Sequence, residues 1–405
     1  MQISKNNYFI IYIYFYTFVM PWNFFNGQMG TLSIILLFWW GFIAKEQKYL
    51  TKLKLIFKFK PLFVLILFFV YSYLSLLWTD NFSDAKKALT YYKYYWIMIP
   101  ILFTALSKDQ AKKAIYIFII SLGIYALFSL SIYLNIVNVI DHSLNPTNTS
   151  NPRGILAYAI ITPYMAIGFL SSLFIVAYND SKKIKFLFIF IAILCFIGIF
   201  MNNGRAGQVA FFITLLVLII ANYKKFFNYK SILGLASILV ISYFLLQDFH
   251  KLNRFEHGFN ELKNLERTHF AGSWGARAYM WYAAVNILQK DPILGTGVGD
   301  NIDEFIKYTK THPSKSTWLR SFHNQHLDTL TRYGLVGYFL LWGSVILLLY
   351  KLRADSLYFA LGVVFFSITY FDGLGDIILL MKPYNYVFMM IFLMLSIISA
   401  QRSKV

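Results

Sequence analysis

The feature that most constrains this chain is a series of twelve long stretches of mostly apolar residues. A helix needs about 20 residues to cross the ~30 Å apolar core of a bilayer, and the stretches are near or within the usual range. Their middles contain no Asp, Glu, Lys, Arg or His. The sequence therefore predicts an all-α, polytopic membrane protein with about 12 transmembrane helices. The predicted spans are Tyr8–Phe25, Met29–Ala44, Pro61–Trp78, Tyr91–Leu106, Ala114–Val139, Ile155–Tyr178, Ile184–Met201, Gly207–Ala221, Ser231–Leu246, Leu335–Tyr350, Leu357–Phe371 and Tyr384–Ala400.

The overall composition agrees with this interpretation. Hydrophobic residues make up 58% of the 405 residues and charged residues only 14%, and the mean hydropathy is +0.57. A soluble domain usually carries about 25% charged residues, and a disordered chain has low hydrophobicity. Both classes are excluded. Cys195 is the single cysteine and lies in an apolar stretch, so neither a disulfide framework nor a thiol metal site is expected.

The lysines and arginines are concentrated in the loops on one side of the predicted bundle. Twenty of the 37 lie in alternate loops that include both termini, whereas the short loops of the opposite side hold five. Since short cytoplasmic loops are enriched in Lys and Arg, both ends of the chain are predicted to be cytoplasmic. The same bias accounts for the net charge of +19, because basic inner loops face anionic lipid. Membrane lipids are thus predicted partners, and nucleic acid is not.

One long segment interrupts the series of spans. Residues 247–333 separate spans nine and ten and lie on the predicted outer face. The predicted organisation is therefore residues 1–246 with spans one to nine, residues 247–333 as an outer loop domain, and residues 334–405 with spans ten to twelve.

Two arginines on the outer side suit an anionic headgroup. Arg205 lies in the turn 202–207 (NNGRAG), where glycines let the backbone approach a ligand closely. Arg277 opens a largely apolar segment, 275–288, that predicts a helix in the membrane interface. A guanidinium offers a planar fork for phosphate oxygens. For Arg205 the alternative is a side chain that contacts lipid headgroups or a helix end. For Arg277 it is an ion pair with an acid of the same loop.

A pair of histidines precedes span ten. His323 and His326 lie three residues apart in the segment 323–328 (HNQHLD), with Asn324 beside the first. No carboxylate stands at a familiar ligand spacing, so a metal site is disfavoured. A single histidine as general base is favoured, since histidine titrates near neutral pH. A histidine that only hydrogen-bonds is the alternative.

Three other outer features are typical of structural turns. Arg153 precedes span six, and Asp372 follows span eleven, where it could orient a histidine or an arginine. The glycine-rich segment 295–299 (GTGVG) follows no predicted strand, so a turn is favoured over a dinucleotide site.

Taken together, these segments resemble the O-antigen ligase family, which also includes O-antigen polymerases and bacterial O-oligosaccharyltransferases. The resemblance rests on their order and on the long outer loop that holds most of them, and it covers roughly residues 202–337. The segments are 204–207 (GRAG), 277–281 (RAYMW), 291–297 (DPILGTG), 323–328 (HNQHLD) and 334–337 (GLVG).

The resemblance implies an inverting, metal-independent glycosyltransferase of the bacterial inner membrane that uses no cofactor. It would move a glycan from undecaprenyl pyrophosphate to a hydroxyl of a lipid A–core sugar on the periplasmic face, in lipopolysaccharide biosynthesis. Arg205 and Arg277 would hold the pyrophosphate, and His323 would act as the base or position the acceptor. His326 departs from the family, which often has a bulky or aromatic residue there, so it is a second candidate for the base. The further predicted substrate contacts are Arg153, Asn324, His326 and Asp372.

Three other functions compete with the ligase. A polymerase would use the same donor with another lipid-linked glycan as acceptor, and an oligosaccharyltransferase would use protein Ser or Thr. A lipid-linked glycan flippase or other transporter belongs to a different class, and ionisable residues within the spans would favour it. The spans of this chain have none in their middles.

The predicted sidedness can be tested by cysteine labelling. A membrane-impermeant maleimide should label a cysteine introduced at Ser273 in intact spheroplasts, because the loop 247–333 is predicted to face outward. A cysteine at Ser181, in a predicted inner loop, should react only after the membrane is opened. Protection at position 273 together with labelling at position 181 would invert the topology.

Overall fold

In the computed structural model of the protein, the described residues are 5–22, 24, 27–137, 148–221, 229–248, 252–267, 269–315 and 321–400. Within these ranges the chain is helical and has no β-strand, which confirms the predicted all-α class. Some basic residues of the predicted inner loops lie outside the described residues, namely Lys224, Lys225, Arg402 and Lys404. The helices are α1 (Lys5–Val19), α2 (Gln28–Ile43), α3 (Tyr49–Lys58), α4 (Lys60–Leu74), α5 (Phe82–Leu89), α6 (Lys93–Ala105), α7 (Lys108–Tyr133), α8 (Tyr158–Tyr178), α9 (Lys182–Met201), α10 (Arg205–Ala221), α11 (Tyr229–Asp248), α12 (Leu252–Lys263), α13 (Ser273–Lys290), α14 (Asn301–Thr311), α15 (Gln325–Leu352), α16 (Ser356–Asp372) and α17 (Lys382–Ala400).

Six of the described helices are long and apolar enough to cross a membrane: α4 with the short 3₁₀ turn that follows it, α7, α8, α9, α15 and α17. Apolar helices of 10–17 residues add α2, α10, α16 and part of α11. All twelve predicted spans overlap a helix. Several apolar helices are thus present, as a multi-pass protein requires, while the count of twelve spans and their sidedness stay predictions.

The helices α8 and α17 form the centre of the bundle. Among the candidate spans, α17 is the most enclosed, since 94% of an 18-residue apolar stretch of this helix is buried. In α8 the corresponding share is 83%. Tyr164 of α8 stacks on Tyr384 of α17 with ring centroids 5.4 Å apart, and its hydroxyl donates to the carbonyl of Pro383. Because α10 and α16 pack beside α8, the ends of these helices are held in fixed relation to one another.

The segment between α11 and α15 builds a small core of its own. Helices α13 and α14 pack together through Tyr279, Ala283, Ile287 and Phe305, and all four side chains are buried. Phe305 meets Phe322 edge-on at 5.7 Å. The predicted outer segment is therefore folded into helices, and α13 also packs against α15.

Helix α15 is broken at Gly334, where φ is +59° and ψ is −164°. A break frees backbone groups, which must find partners at membrane depth. The glycine-rich loop supplies them. The amides of Thr296 and Leu335 donate to the carbonyls of Thr331 and Pro292, at 2.8 and 2.9 Å. The segment that contains GTGVG is therefore a structural turn, as the sequence predicts.

Replacing Gly334 with alanine should destabilise the protein. An added Cβ would lie 2.1 Å from the carbonyl oxygen of Ile293, and φ is positive, so a cost of at least ~1–3 kcal/mol is expected. Gly343→Ala is the matched control, because it lies in the same helix with nothing within 4 Å of the added Cβ. Thermal unfolding in detergent should show a lower Tm for Gly334→Ala only. Equal Tm values for the two variants would contradict the proposed need for glycine.

Candidate active site

Arg205 is the first residue of α10, and the glycines around it are required by close packing. A Cβ on Gly204 would lie 2.6 Å from the carbonyl oxygen of Tyr158, and one on Gly207 would lie 2.8 Å from Cδ of Pro163. The start of α10 is thereby pressed against α8. Arg205 lies between the two glycines at this contact.

The Arg205 side chain points toward the start of α13. Its Nη2 donates to Oγ of Ser273 at 3.2 Å, and its Cζ lies 5.7 Å from the ring centroid of Trp274. A guanidinium near an indole face gains a favourable cation–π interaction. The Glu261 carboxylate accepts the Trp274 amide at 2.7 Å and so fixes the first turn of α13. These contacts orient Arg205 toward the face of α13 that carries Arg277.

Asp376 joins Arg277 to His323. Its Oδ1 lies 3.7 Å from Nη2 of Arg277 and 3.3 Å from Nδ1 of His323, and its side chain is 5% exposed. Because a carboxylate only accepts hydrogen bonds, Nδ1 of His323 is the protonated nitrogen when the ring is neutral. Nε2 then carries the lone pair. An imidazole held in this way is suited to accept a proton.

The loop after α16 fixes Asp376 beside His323. The amide of Gln325, at the start of α15, donates to the carbonyl of Gly373 at 2.7 Å. The Gln325 side-chain oxygen accepts the amide of Leu379 at 2.9 Å. His323 itself has a φ of +43° just before the helix begins. The two ends of the site are therefore tied together by the backbone as well as by Asp376.

Sequence reasoning missed Asp376. It singled out Asp372, which stands four residues earlier, because Asp372 directly follows an apolar span. Asp376 and His323 are 53 residues apart, and no local pattern links them. The available signal was a second acid after span eleven, in the glycine-containing segment 372–376 (DGLGD).

The two arginines line one polar cavity of about 280 Å³. A second cavity of about 280 Å³ shares Arg205 and Arg277 and is otherwise mostly apolar. A charged chamber next to an apolar one fits an amphiphile with an anionic head. The polar cavity is completed by Asn151, Tyr158, Asn203, Ala206, Ser273 and Asp376. The apolar cavity is lined further by Ala206, Val209, Leu262, Trp274, Ala278, Trp281, Phe371, Leu374 and Gly375.

Asp372 lies behind this site. It is fully buried, and among the described residues neither of its carboxylate oxygens has a hydrogen-bond partner. Asp372 lines neither cavity and is 0% exposed, so it is not accessible to a substrate bound there. His323 also lines neither cavity, but 37% of its side chain is exposed.

The structure places Arg153 in the loop before α8 rather than in the cavity. It is 6% exposed, its Nη1 donates to the carbonyl of Leu156 at 2.7 Å, and its own carbonyl accepts the Tyr125 hydroxyl. Asn151, two residues earlier, is the residue of this loop that lines the polar cavity. Arg153 thus shapes the loop that presents Asn151.

His326 is buried in an aromatic pocket. Its Nε2 lies 2.8 Å from the carbonyl of Tyr370 and must donate, while Nδ1 lies 3.1 Å from the hydroxyl of Tyr338. Both nitrogens are therefore occupied within the protein. Asn324 caps α15, since its Oδ1 accepts the amides of His326 and Leu327. Of the two histidines, His323 is the one that contacts Asp376.

Part of the chain is similar to known proteins. Residues 189–342 match a family model described as O-antigen ligase. The matched segment contains Arg205, Arg277 and His323, whereas Asp376 lies beyond it. An uncharacterized protein of Haemophilus influenzae is 33% identical over 160 residues, which cover 38% of this chain and 40% of that protein. Residues 189–342 are thus similar to the O-antigen ligase family, as the order of the sequence motifs predicts.

Proposed function

We propose that the protein transfers a glycan from undecaprenyl pyrophosphate to a hydroxyl of a lipid A–core sugar at the periplasmic face of the bacterial inner membrane. The observation that carries this proposal is that Arg205 and Arg277 line both a polar cavity and an adjoining apolar cavity. The donor has the matching chemistry, since its pyrophosphate is anionic and its prenyl chain is apolar.

In the proposed reaction, the acceptor hydroxyl attacks C1 of the first donor sugar while the bond from C1 to the phosphate oxygen breaks. The acceptor proton moves to Nε2 of His323, and undecaprenyl pyrophosphate leaves. Attack from the face opposite the leaving group inverts the configuration at C1. Asp376 accepts the hydrogen bond from Nδ1 of His323, so it orients the ring and stabilises the imidazolium that forms.

The arginines act on the leaving group. Breaking the sugar–phosphate bond leaves additional negative charge on the pyrophosphate. Fixed guanidinium groups in a partly enclosed site stabilise that charge as it develops. Arg277 is 18% exposed and is held by Asp376 at 3.7 Å, and Arg205 is held against α13. Because both side chains are held before substrate binds, little reorganisation is required during the reaction.

Transfer by the purified protein tests the proposed acceptor. The protein would be supplied with a lipid-linked glycan and either rough lipopolysaccharide or no second acceptor. Glycan attached to lipopolysaccharide is the expected product. Longer lipid-linked glycan, formed without lipopolysaccharide, would favour the polymerase and contradict ligation.

Removal of either arginine should strongly impair transfer. Arg205→Ala and Arg277→Ala should each lower the transfer rate by about 30- to 150-fold, because the loss of a phosphate partner in a partly dry site costs ~2–3 kcal/mol. Arg→Lys should restore little activity if the contact is bidentate. Lys310→Ala is the matched control, since it removes one positive charge from an exposed position on α14. Rates would be compared at equal membrane levels of protein. Near-normal transfer rates in both arginine variants would contradict this role and indicate that the two arginines only contact membrane lipid.

The histidine assignment is tested by four variants, of which the last is a control. His323→Ala should lose transfer, and Asp376→Asn should lower it by about 100-fold or more, because the amide no longer stabilises the imidazolium. His326→Ala should retain most activity per folded molecule, and so should His257→Ala, which removes an exposed histidine of α12. EDTA should have no effect.

Two outcomes would overturn this assignment. If His326→Ala loses transfer while His323→Ala retains it, His326 is the base. If both variants lose transfer and EDTA also inhibits, a metal site is favoured.

A further inference from the structure

A third cavity, larger than the two described above, is a cleft on another side of α13. Its volume is about 890 Å³. Helix α13 contributes Tyr279 and Tyr282, helix α14 contributes Tyr308, and the segment after α14 contributes His312. The proposed chemistry uses none of these side chains.

The aromatic side chains form a fixed platform. The rings of Tyr308 and His312 are stacked with centroids 4.3 Å apart and an interplanar angle of 7°. The Tyr279 hydroxyl donates to the carbonyl of His312 at 2.5 Å, which holds this stack against α13. Tyr282 is 56% exposed beside it. Because His312 and Tyr282 are both exposed, their side chains are accessible to a ligand in the cleft.

Polar groups of both signs complete the cleft. Glu266 and Arg267 are exposed and line the cleft, together with Lys263. In the part of the chain that the structure describes, none of these three side chains forms an ion pair. Their donors and acceptors are thus available to a neutral, hydroxyl-rich ligand.

The cleft adjoins the candidate active site. Leu262 lines both the cleft and the apolar cavity that contains Arg277. Tyr279 follows Arg277 by two residues and therefore lies on a different face of the same helix. A ligand several units long could reach from the reacting centre around α13 into the cleft, whereas a single small molecule could not occupy both.

We propose that this cleft binds an oligosaccharide, namely sugar units remote from the one that reacts. A pyranose ring has an apolar C–H face that suits an aromatic platform and a rim of hydroxyls that suits carboxylate and guanidinium groups. The inference rests on the proposed function, because it takes the glycan of that reaction as the ligand. The glycan can come from the acceptor or from the donor.

Equilibrium dialysis of the full-length protein in detergent tests the proposal without a transfer reaction. One arm uses core oligosaccharide released from rough lipopolysaccharide by mild acid, and the other uses lipid-free O-polysaccharide. We expect the wild-type protein to bind one of them. The combined Tyr282→Ala and His312→Ala change should weaken binding about tenfold or more, as expected for the loss of two aromatic contacts. Both residues are exposed, so folding should be preserved.

The matched control is Phe82→Ala, which removes a 63% exposed aromatic ring outside the cleft. It should leave binding unchanged. Binding of core oligosaccharide assigns the cleft to the acceptor, and binding of O-polysaccharide assigns it to the donor. No binding in either arm, or equal binding by wild type and the double variant, overturns the proposal. Because binding is measured without transfer, a wild-type protein that binds oligosaccharide but forms no transfer product would contradict the proposed function and leave the cleft assignment standing.

Discussion

The candidate site depends on the contacts of one buried carboxylate, that of Asp376. It lies after α16, yet it contacts Arg277 of α13 and His323 at the start of α15. A carboxylate in such an enclosed position is stable only with charged or hydrogen-bonding partners. Three distant segments are therefore brought to one point. The protonated nitrogen of His323 and the orientation of Arg277 both follow from that single group.

The broken helix α15 gives the site its other constraint. Backbone polar groups freed at Gly334 bond to the loop 291–299, which also packs against the segment before α5. Asp300, next to that loop, accepts the amides of Asp80 and Asn81. The first turns of α15, with His323 and Asn324 before them, thus form a short rigid unit separate from the apolar remainder of the helix.

Much of the fold could be predicted from the sequence, because long apolar stretches predict membrane-spanning helices directly. Arg205 and Arg277 could be chosen for their residue type and their glycine or helix-start context, and the structure brings them to one cavity. Asp376 could not be found in this way, since its partners are distant in sequence. The burial of Arg153 and His326 could not be predicted from the sequence either. Their partners Leu156, Tyr370 and Tyr338 are apparent only in three dimensions.

The account's central claim is that Arg205 and Arg277 hold the pyrophosphate of a lipid-linked glycan donor. A cryo-electron microscopy structure of the full-length protein with undecaprenyl pyrophosphate would test it most directly. The account predicts phosphate density within hydrogen-bond distance of both guanidinium groups and prenyl density in the apolar cavity beside Trp281. Pyrophosphate density away from both arginines, with the polar cavity empty, would contradict it.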